Sequence, residues 1–230
     1  MSIDLNCDMG ELEDAAHEAA LMEHITSANI ACGGHAGSEA TMRRTVRMAL
    51  LRGVRIGAHP GYPDPANFGR VALPLRAEEV VATVREQVER LDRIVREEGA
   101  EIVHVKPHGA LYNVAARDTE TARAIGTAVR EWKAGAVLFG LAGSASLEVW
   151  RGMGLQVLAE GFADRRYETD GSLRARSYPD ALITDPKAAA AQALALARSG
   201  RAQTICVHGD TPGAAEILRA CREALVRDFV

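Results

Sequence analysis

Short apolar runs alternate with amphipathic stretches along almost the whole chain, and the two periods separate cleanly. Residues 3–8, 28–32, 54–58, 102–105, 136–141, 155–159 and 204–207 read as seven strands, the second stopping at Gly33-Gly34. Between them apolar positions recur every three or four residues, the period of a helix with one buried face. Ser38 caps a helix carrying Met42, Val46, Ala49 and Leu50 on one side. Val80, Val84, Val88, Leu91 and Val95 mark a long helix ending at Gly99. Asp118 caps another, turning Ala122, Ile125, Val129 and Trp132 to the core. Ser144 or Ser146 starts a short helix through Leu147 and Val149, and a polar loop covers residues 164–179. Asp185-Pro186 and Thr211-Pro212 each join a capping side chain to a proline, so they open the last two helices. The final helix buries Ile217, Leu218, Cys221 and Leu225.

Seven strand–helix units over 230 residues predict an α/β fold, an irregular seven-stranded parallel (β/α) barrel with residues 1–230 as one domain. Several strands are unbroken apolar runs, as parallel strands covered on both faces should be. An open doubly wound sheet satisfies the same pattern.

Charge and composition narrow the classes. The formal net charge is -4, and arginines are interspersed with glutamates along the helical stretches. A nucleic-acid surface needs a concentrated basic patch, so no nucleic-acid partner is expected. No apolar run approaches the ~20 residues of a membrane helix. The first residues carry no basic-then-apolar leader, so a cytoplasmic protein is expected. Cys7, Cys32, Cys206 and Cys221 form no C-x-x-C pair and are expected as reduced thiols. Only Lys106, Lys133 and Lys187 stand among 27 basic residues, so a lysine inside a motif is informative. Lys106 is the one so placed, stiffened by Pro107 behind it.

The polar residues gather where the apolar runs stop. Asp8 and Glu11 follow the first strand, Gly34 and His35 the second, His59 and Tyr62 the third. Lys106 and His108 follow the fourth, residues 160–168 the sixth, His208 and Asp210 the seventh. In a parallel barrel these ends share one face, where active sites are built. That agreement makes His35, His59, His108 and His208 functional candidates, whereas His17 and His24 in the first helical stretch and His104 inside a strand read as structural. Asp8, His59 or His208 can serve as a general base. Lys106, Arg165 and Arg166 can hold a carboxylate or a phosphoryl group, although an ion pair of the two arginines with Glu168 or Asp170 is the plainer alternative. Cys32 reads as a small buried residue before it reads as a nucleophile.

Neither G-x-x-x-x-G-K-[ST], G-x-G-x-x-G after the first strand, G-x-S-x-G nor H-E-x-x-H occurs. The blocks DLNCDMGE (4–11), SANIACGGHAG (27–37), GAHPGYPD (57–64), FGR (68–70), VKPHGALYN (105–113), EGFADRRY (160–167) and VHGDTP (207–212) resemble the LamB/YcsF family, in family order across nearly the whole chain. Arg174-Ala175-Arg176 departs mildly from the pattern, in a loop to which no role is assigned.

The resemblance implies an irregular barrel similar to the glycoside hydrolase/deacetylase barrel. It implies ATP-dependent hydrolysis of 5-oxoproline to L-glutamate, in a 5-oxoprolinase assembly with partner subunits B and C. Placed on the blocks, the catalytic candidates are Asp8, His35, His59, Lys106, His108, Asp164 and His208. The substrate-binding candidates are Asn6, Gly34, Tyr62, Arg70, Glu160, Arg165, Arg166 and Asp210. ATP is the co-substrate, and without a phosphate loop here it is expected wholly or partly on the partners. No metal is required by this reading, and a homo-oligomer is compatible with it. A second reading is a metal-dependent amide or N-acetyl hydrolase, with Asp8, His35 and His59 holding a divalent ion. A third is a non-enzymatic lactam-binding protein.

Overall fold

In the computed structural model, which describes residues 3–229, the seven strands are β1 (Asp4–Met9), β2 (Ser27–Ala31), β3 (Arg55–His59), β4 (His104–Val105), β5 (Val137–Leu141), β6 (Gln156–Phe162) and β7 (Thr204–Val207). Each pairs in parallel with the next, and β7 closes onto β1 through Asp4↔Thr204 and Cys7↔Val207. Closure decides for the barrel against the open sheet. The helices α1 (Ala15–Met22), α2 (Glu39–Arg52), α3 (Ala77–Glu97), α4 (Gly109–Ala115), α5 (Thr119–Trp132), α6 (Ala145–Gly152), α7 (Pro186–Arg198) and α8 (Ala214–Phe229) accompany the strands. No described helix is long and apolar enough to cross a membrane.

Local chemistry sets the ends. Ser38 and Thr41 form a reciprocal capping box on α2, and Gly53 closes it at φ 64°. Asp118 and Asp185 accept backbone N–H groups at the starts of α5 and α7. β4 keeps only two ladder residues because Pro107 has no N–H to donate. Lys106 and His108 still donate their backbone N–H to the carbonyls of Ala58 and Pro60, so both side chains are fixed at the strand exit.

Several expected boundaries move. Residue 160 lies inside β6, which runs to Phe162, so Glu160 belongs to the barrel interior and not to the loop after it. Leu50 faces outward at 42% exposure instead of joining Met42, Val46 and Ala49 in the core. His24 falls in the turn after α1. Thr211-Pro212 does not open α8, which begins at Ala214; the Thr211 hydroxyl instead donates to Asp164. α4 carries no apolar period of its own and is not legible as a separate element.

The barrel interior is polar. On β1, Leu5, Cys7 and Met9 join the apolar layer, while Asp4, Asn6 and Asp8 enter the barrel. Asn6 Nδ2 donates to Glu160 Oε1 at 3.0 Å and Thr204 Oγ1 at 2.7 Å, and Asn29 Nδ2 donates to Asn6 Oδ1 and Asp8 Oδ1. His104 hydrogen-bonds Asn29 Oδ1 at 2.8 Å and stacks on Phe139 at 4.2 Å. A Cβ on Gly57 would fall 2.0 Å from His104 Nε2, so glycine there makes room for the ring. Each of these amide side chains meets an acceptor, which is what makes a polar barrel core tolerable.

Burial holds the His104 ring neutral, its pKa lowered to about 3. The unfolded chain takes up a proton below pH ~6.5 that the folded chain refuses, so stability falls as pH drops from ~6.5 towards 3, by about 1.4 kcal/mol per unit. His104→Gln removes that titration. The stability gap between wild type and variant, read by urea unfolding, is therefore expected to narrow by roughly 2 kcal/mol between pH 7 and pH 5. A gap constant with pH would place the acid limb elsewhere.

Candidate active site

A cleft of about 740 Å³ opens at the C-terminal ends of the strands. Lys106 forms its floor, 2% exposed. Its Nζ lies 2.8 Å from Asp8 Oδ1, 3.1 Å from Glu160 Oε1 and 3.1 Å from Cys206 Sγ. Burial alone would drive the ammonium to give up its proton; Asp8 and then the other neighbours outweigh it and hold the group charged, its pKa well above normal. Asp8 moves the opposite way: burial disfavours its charge, but His59 and Lys106 hold the carboxyl well below its usual range. Tyr112 completes the floor by donating its hydroxyl to Glu160 Oε2 at 2.7 Å.

On one wall three imidazoles surround Glu11. His35 stacks flat on His108, ring centres 3.6 Å apart, and His59 stands edge-on to both. Glu11 Oε1 lies 3.0 Å from His35 Nε2, 3.2 Å from His108 Nδ1 and 3.8 Å from His59 Nε2. Burial lowers the His35 pKa to about 4, so the ring is neutral near pH 7. Gly69, at φ +62, passes so close that a Cβ would meet His35 Cβ at 2.7 Å; the loop after β3 clamps the stack.

On the opposite wall Asp164 is fully buried and gathers His208. It accepts His208 Nδ1 at 3.0 Å, the His208 backbone N–H at 3.1 Å and the Thr211 hydroxyl at 2.5 Å. Burial works against the Asp164 charge, but His208 and Thr211 overcome it and lower the pKa. The His208 ring lies against Phe162, centres 5.2 Å apart, and lines the cleft. The rim is cationic. Arg70 and Arg176 both bind Asp210, the latter at 3.0 Å. Arg165 is 6% exposed, gives Nη2 to the Arg174 carbonyl and leaves Nε with no partner among the described residues. Burial first, and Arg176 second, lower its pKa to about 10, which still leaves it charged near neutrality.

The structure thus brings Asp8, His59, Lys106, His108, His208, Arg70, Arg165 and Asp210 to one cleft, with His35, Asp164, Asn6 and Glu160 immediately behind. Gly34, Tyr62 and Arg166 do not line it. Gly34 packs against Gln87, Tyr62 is buried outside the cleft, and Arg166 is exposed. The alternative ion pairs of Arg165 and Arg166 with Glu168 or Asp170 do not form; Glu168 takes Arg174. Cys32 is no nucleophile: it lies off the cleft, and burial pushes its thiol up to about 12. Of the alternative set Asp8, His35 and His59, Asp8 pairs with Lys106 and lies 3.4 Å from His59, while the two histidines converge with Glu11 and His108. Tyr112, Cys206 and Arg176 are the residues that strand-end reading passes over, and Glu11 is placed at the end of the first strand by that reading but given no role. The signal for Glu11 is its place three residues after Asp8, one turn of the exit loop further on.

Most residues of the cleft floor and walls fall in the family-like sequence blocks, and the LamB/YcsF family description matches residues 3–230. The chain belongs to the LamB/YcsF family. A relative from Chloroflexus aggregans, the A subunit of a 5-oxoprolinase, is 51% identical over 240 residues, covering 98% of this chain and 95% of that one. The crystal structure of a lactam utilization protein from Thermus thermophilus superposes with a TM-score of 0.91 at 43% identity, covering 99% and 97% of the two chains. A peptidoglycan N-acetylglucosamine deacetylase domain from Eubacterium rectale shares the fold alone, with a TM-score of 0.54 at 8% identity.

Proposed function

We infer that this LamB/YcsF chain is the A subunit of a 5-oxoprolinase, a hydrolase that opens the lactam ring of 5-oxoproline to give L-glutamate. The relatives' names support this, and one observation on this chain carries it: a buried ammonium and an aspartate-oriented histidine face each other across one cleft. His208 Nε2 takes a proton from water as its oxygen attacks the lactam carbonyl carbon. Lys106 stabilises the negative charge at the carbonyl oxygen and on the phosphoryl group that oxygen carries in the ATP-coupled reaction. The same His208 then returns the proton to the ring nitrogen as the C–N bond breaks. Arg165, whose side chain lines the cleft, holds the substrate carboxylate.

ATP coupling and the two partners, B and C, belong to the same reading. An unstrained lactam is a weak electrophile, and phosphorylation of its oxygen makes the ring carbon open to water. Once water has added and the C–N bond has broken, the acyl phosphate that remains is hydrolysed by a second water to the carboxylate and phosphate. No G-x-x-x-x-G-K-[ST] occurs in this chain, which supports placing the phosphorylating machinery on the partners. The four cysteines are free and buried, which suits the cytoplasm. The complete assembly is expected to form glutamate and ADP together from 5-oxoproline and ATP. The isolated chain is expected to show no 5-oxoproline-dependent ATP hydrolysis. Absence of glutamate from a folded, complete assembly would refute the substrate; brisk ATP hydrolysis by the chain alone would refute the division of labour.

A further inference from the structure

Two ring nitrogens meet in the cleft, and while both rings are neutral neither has a hydrogen to give the other. His59 Nδ1 lies 2.7 Å from the Lys106 carbonyl oxygen, and His108 Nε2 lies 2.9 Å from that of Phe68. A carbonyl only accepts, so each of these nitrogens carries its ring's hydrogen. In neutral rings the remaining nitrogens, His59 Nε2 and His108 Nδ1, are bare lone pairs, and they face each other at 2.9 Å. Glu11 Oε1 points at the same place. Three electron-pair donors held this close need a cation among them.

We propose that Glu11, His59 and His108 form a site for a divalent cation of the zinc class on the wall of the cleft. Two imidazole nitrogens and one carboxylate are the donor set such ions take, with a position left for water or substrate. The outer contacts are already those of a metal site: each histidine gives its other N–H to a backbone carbonyl, and His35 Nε2 lies 3.0 Å from Glu11 Oε1. The charge balance agrees, since Lys106 is shared by Asp8 and Glu160, whereas Glu11 pairs only with imidazoles among the described residues. All three proposed ligands line the cleft. The other convergent set, Asp8, Cys206 and His208, is unsuited, because the Lys106 ammonium stands 2.8 Å from Asp8 and 3.1 Å from the sulfur. The competing occupant is a single shared proton, which would satisfy the two nitrogens alone.

Zinc binding to the metal-stripped full-length chain decides between them, measured by equilibrium dialysis with elemental analysis and by the visible absorption of a Co²⁺ form. One equivalent per chain is expected in wild type and in His208→Asn. Glu11→Gln and His59→Asn are each expected to weaken binding by ~10–100-fold or more, with circular dichroism unchanged. Should either variant unfold, His108→Asn reads the same site from the opposite ring. Wild type binding no more zinc than Glu11→Gln overturns the site in favour of the shared proton. Loss in His208→Asn with retention in the other variants moves it to the wrong set and overturns it equally. The readout is independent of 5-oxoproline: zinc binding without turnover leaves this site standing, and a folded, active wild type that binds no zinc removes the site and leaves the proposed activity standing.

Discussion

Lys106→Met is expected to cost about 3–5 kcal/mol of stability, because it strips the cation from between two buried carboxylates. Asp8 and Glu160 lie 2.8 and 3.1 Å from Nζ, and Glu160 is wholly inaccessible to solvent. Glu160 cannot turn to water for compensation, and Asp8 meets solvent only through its small exposure in the cleft. Turnover is expected to fall by ~10²–10³ as well, since the oriented charge at the cleft floor goes with the side chain. A single loss of activity would not separate support of the fold from chemistry, and Lys106→Arg does. It keeps the charge but spreads it over a plane that must fit among Cys206, Asn6 and the Phe162 face, 5.4 Å away. Overpacking of this kind costs about 1–3 kcal/mol, so the fold survives. Turnover should still fall ~10²–10³, because the guanidinium cannot sit where the ammonium sits. Glutamate formation by the assembled enzyme and urea unfolding of the chain are the two measurements. Near-normal turnover in Lys106→Arg with an unchanged unfolding profile would reduce Lys106 to a structural ion pair.

Lys106 also shows where sequence reading stops. Its rarity and its place before Pro107 mark it as chosen, but not what it touches. Its partners come from β1, β6 and β7, between 54 and 100 residues away, and only the closed barrel gathers them. The seven apolar runs are legible because helices cover their outer faces. The inner face is legible too, once the period of two is followed: Asp4, Asn6 and Asp8 on β1, His104, Lys106 and His108 along β4 and its exit, and Thr204, Cys206 and His208 along β7. Treating His104 and His108 as unrelated hides that they are steps of one inward-facing ladder. The role of Glu11 is harder to read than its place at the end of the first strand, because only the three rings that converge on it give it one. Arg176 lies in the one stretch that departs from the family blocks, yet it reaches Asp210 in the rim. A loop closing over a site is fixed by such distant pairs and leaves no local pattern.

Asp164→Asn should lower kcat by ~10³–10⁴ with little change in KM, the effect of an acid that acts only through its histidine. One carboxylate oxygen, Oδ2, accepts both the His208 backbone N–H and the Thr211 hydroxyl, at 3.1 and 2.5 Å. In the asparagine variant those two donors fix the amide oxygen at that place. The amide nitrogen is then turned towards His208 Nδ1, which it can only donate to. The ring must present Nδ1 as an acceptor and carry its hydrogen on Nε2, the tautomer that cannot take a proton from water. Shape is conserved and one hydrogen bond is exchanged for another, so the stability loss is expected to stay within about 2 kcal/mol. Two further variants separate positioning from general damage. His208→Asn should fall at least as far as Asp164→Asn, and the double variant should be no worse than His208→Asn alone, since the pair works as a unit. Effects that multiply in the double variant, or a wild-type kcat in Asp164→Asn, would take His208 out of the proton transfer and leave the Asp164 contact as packing.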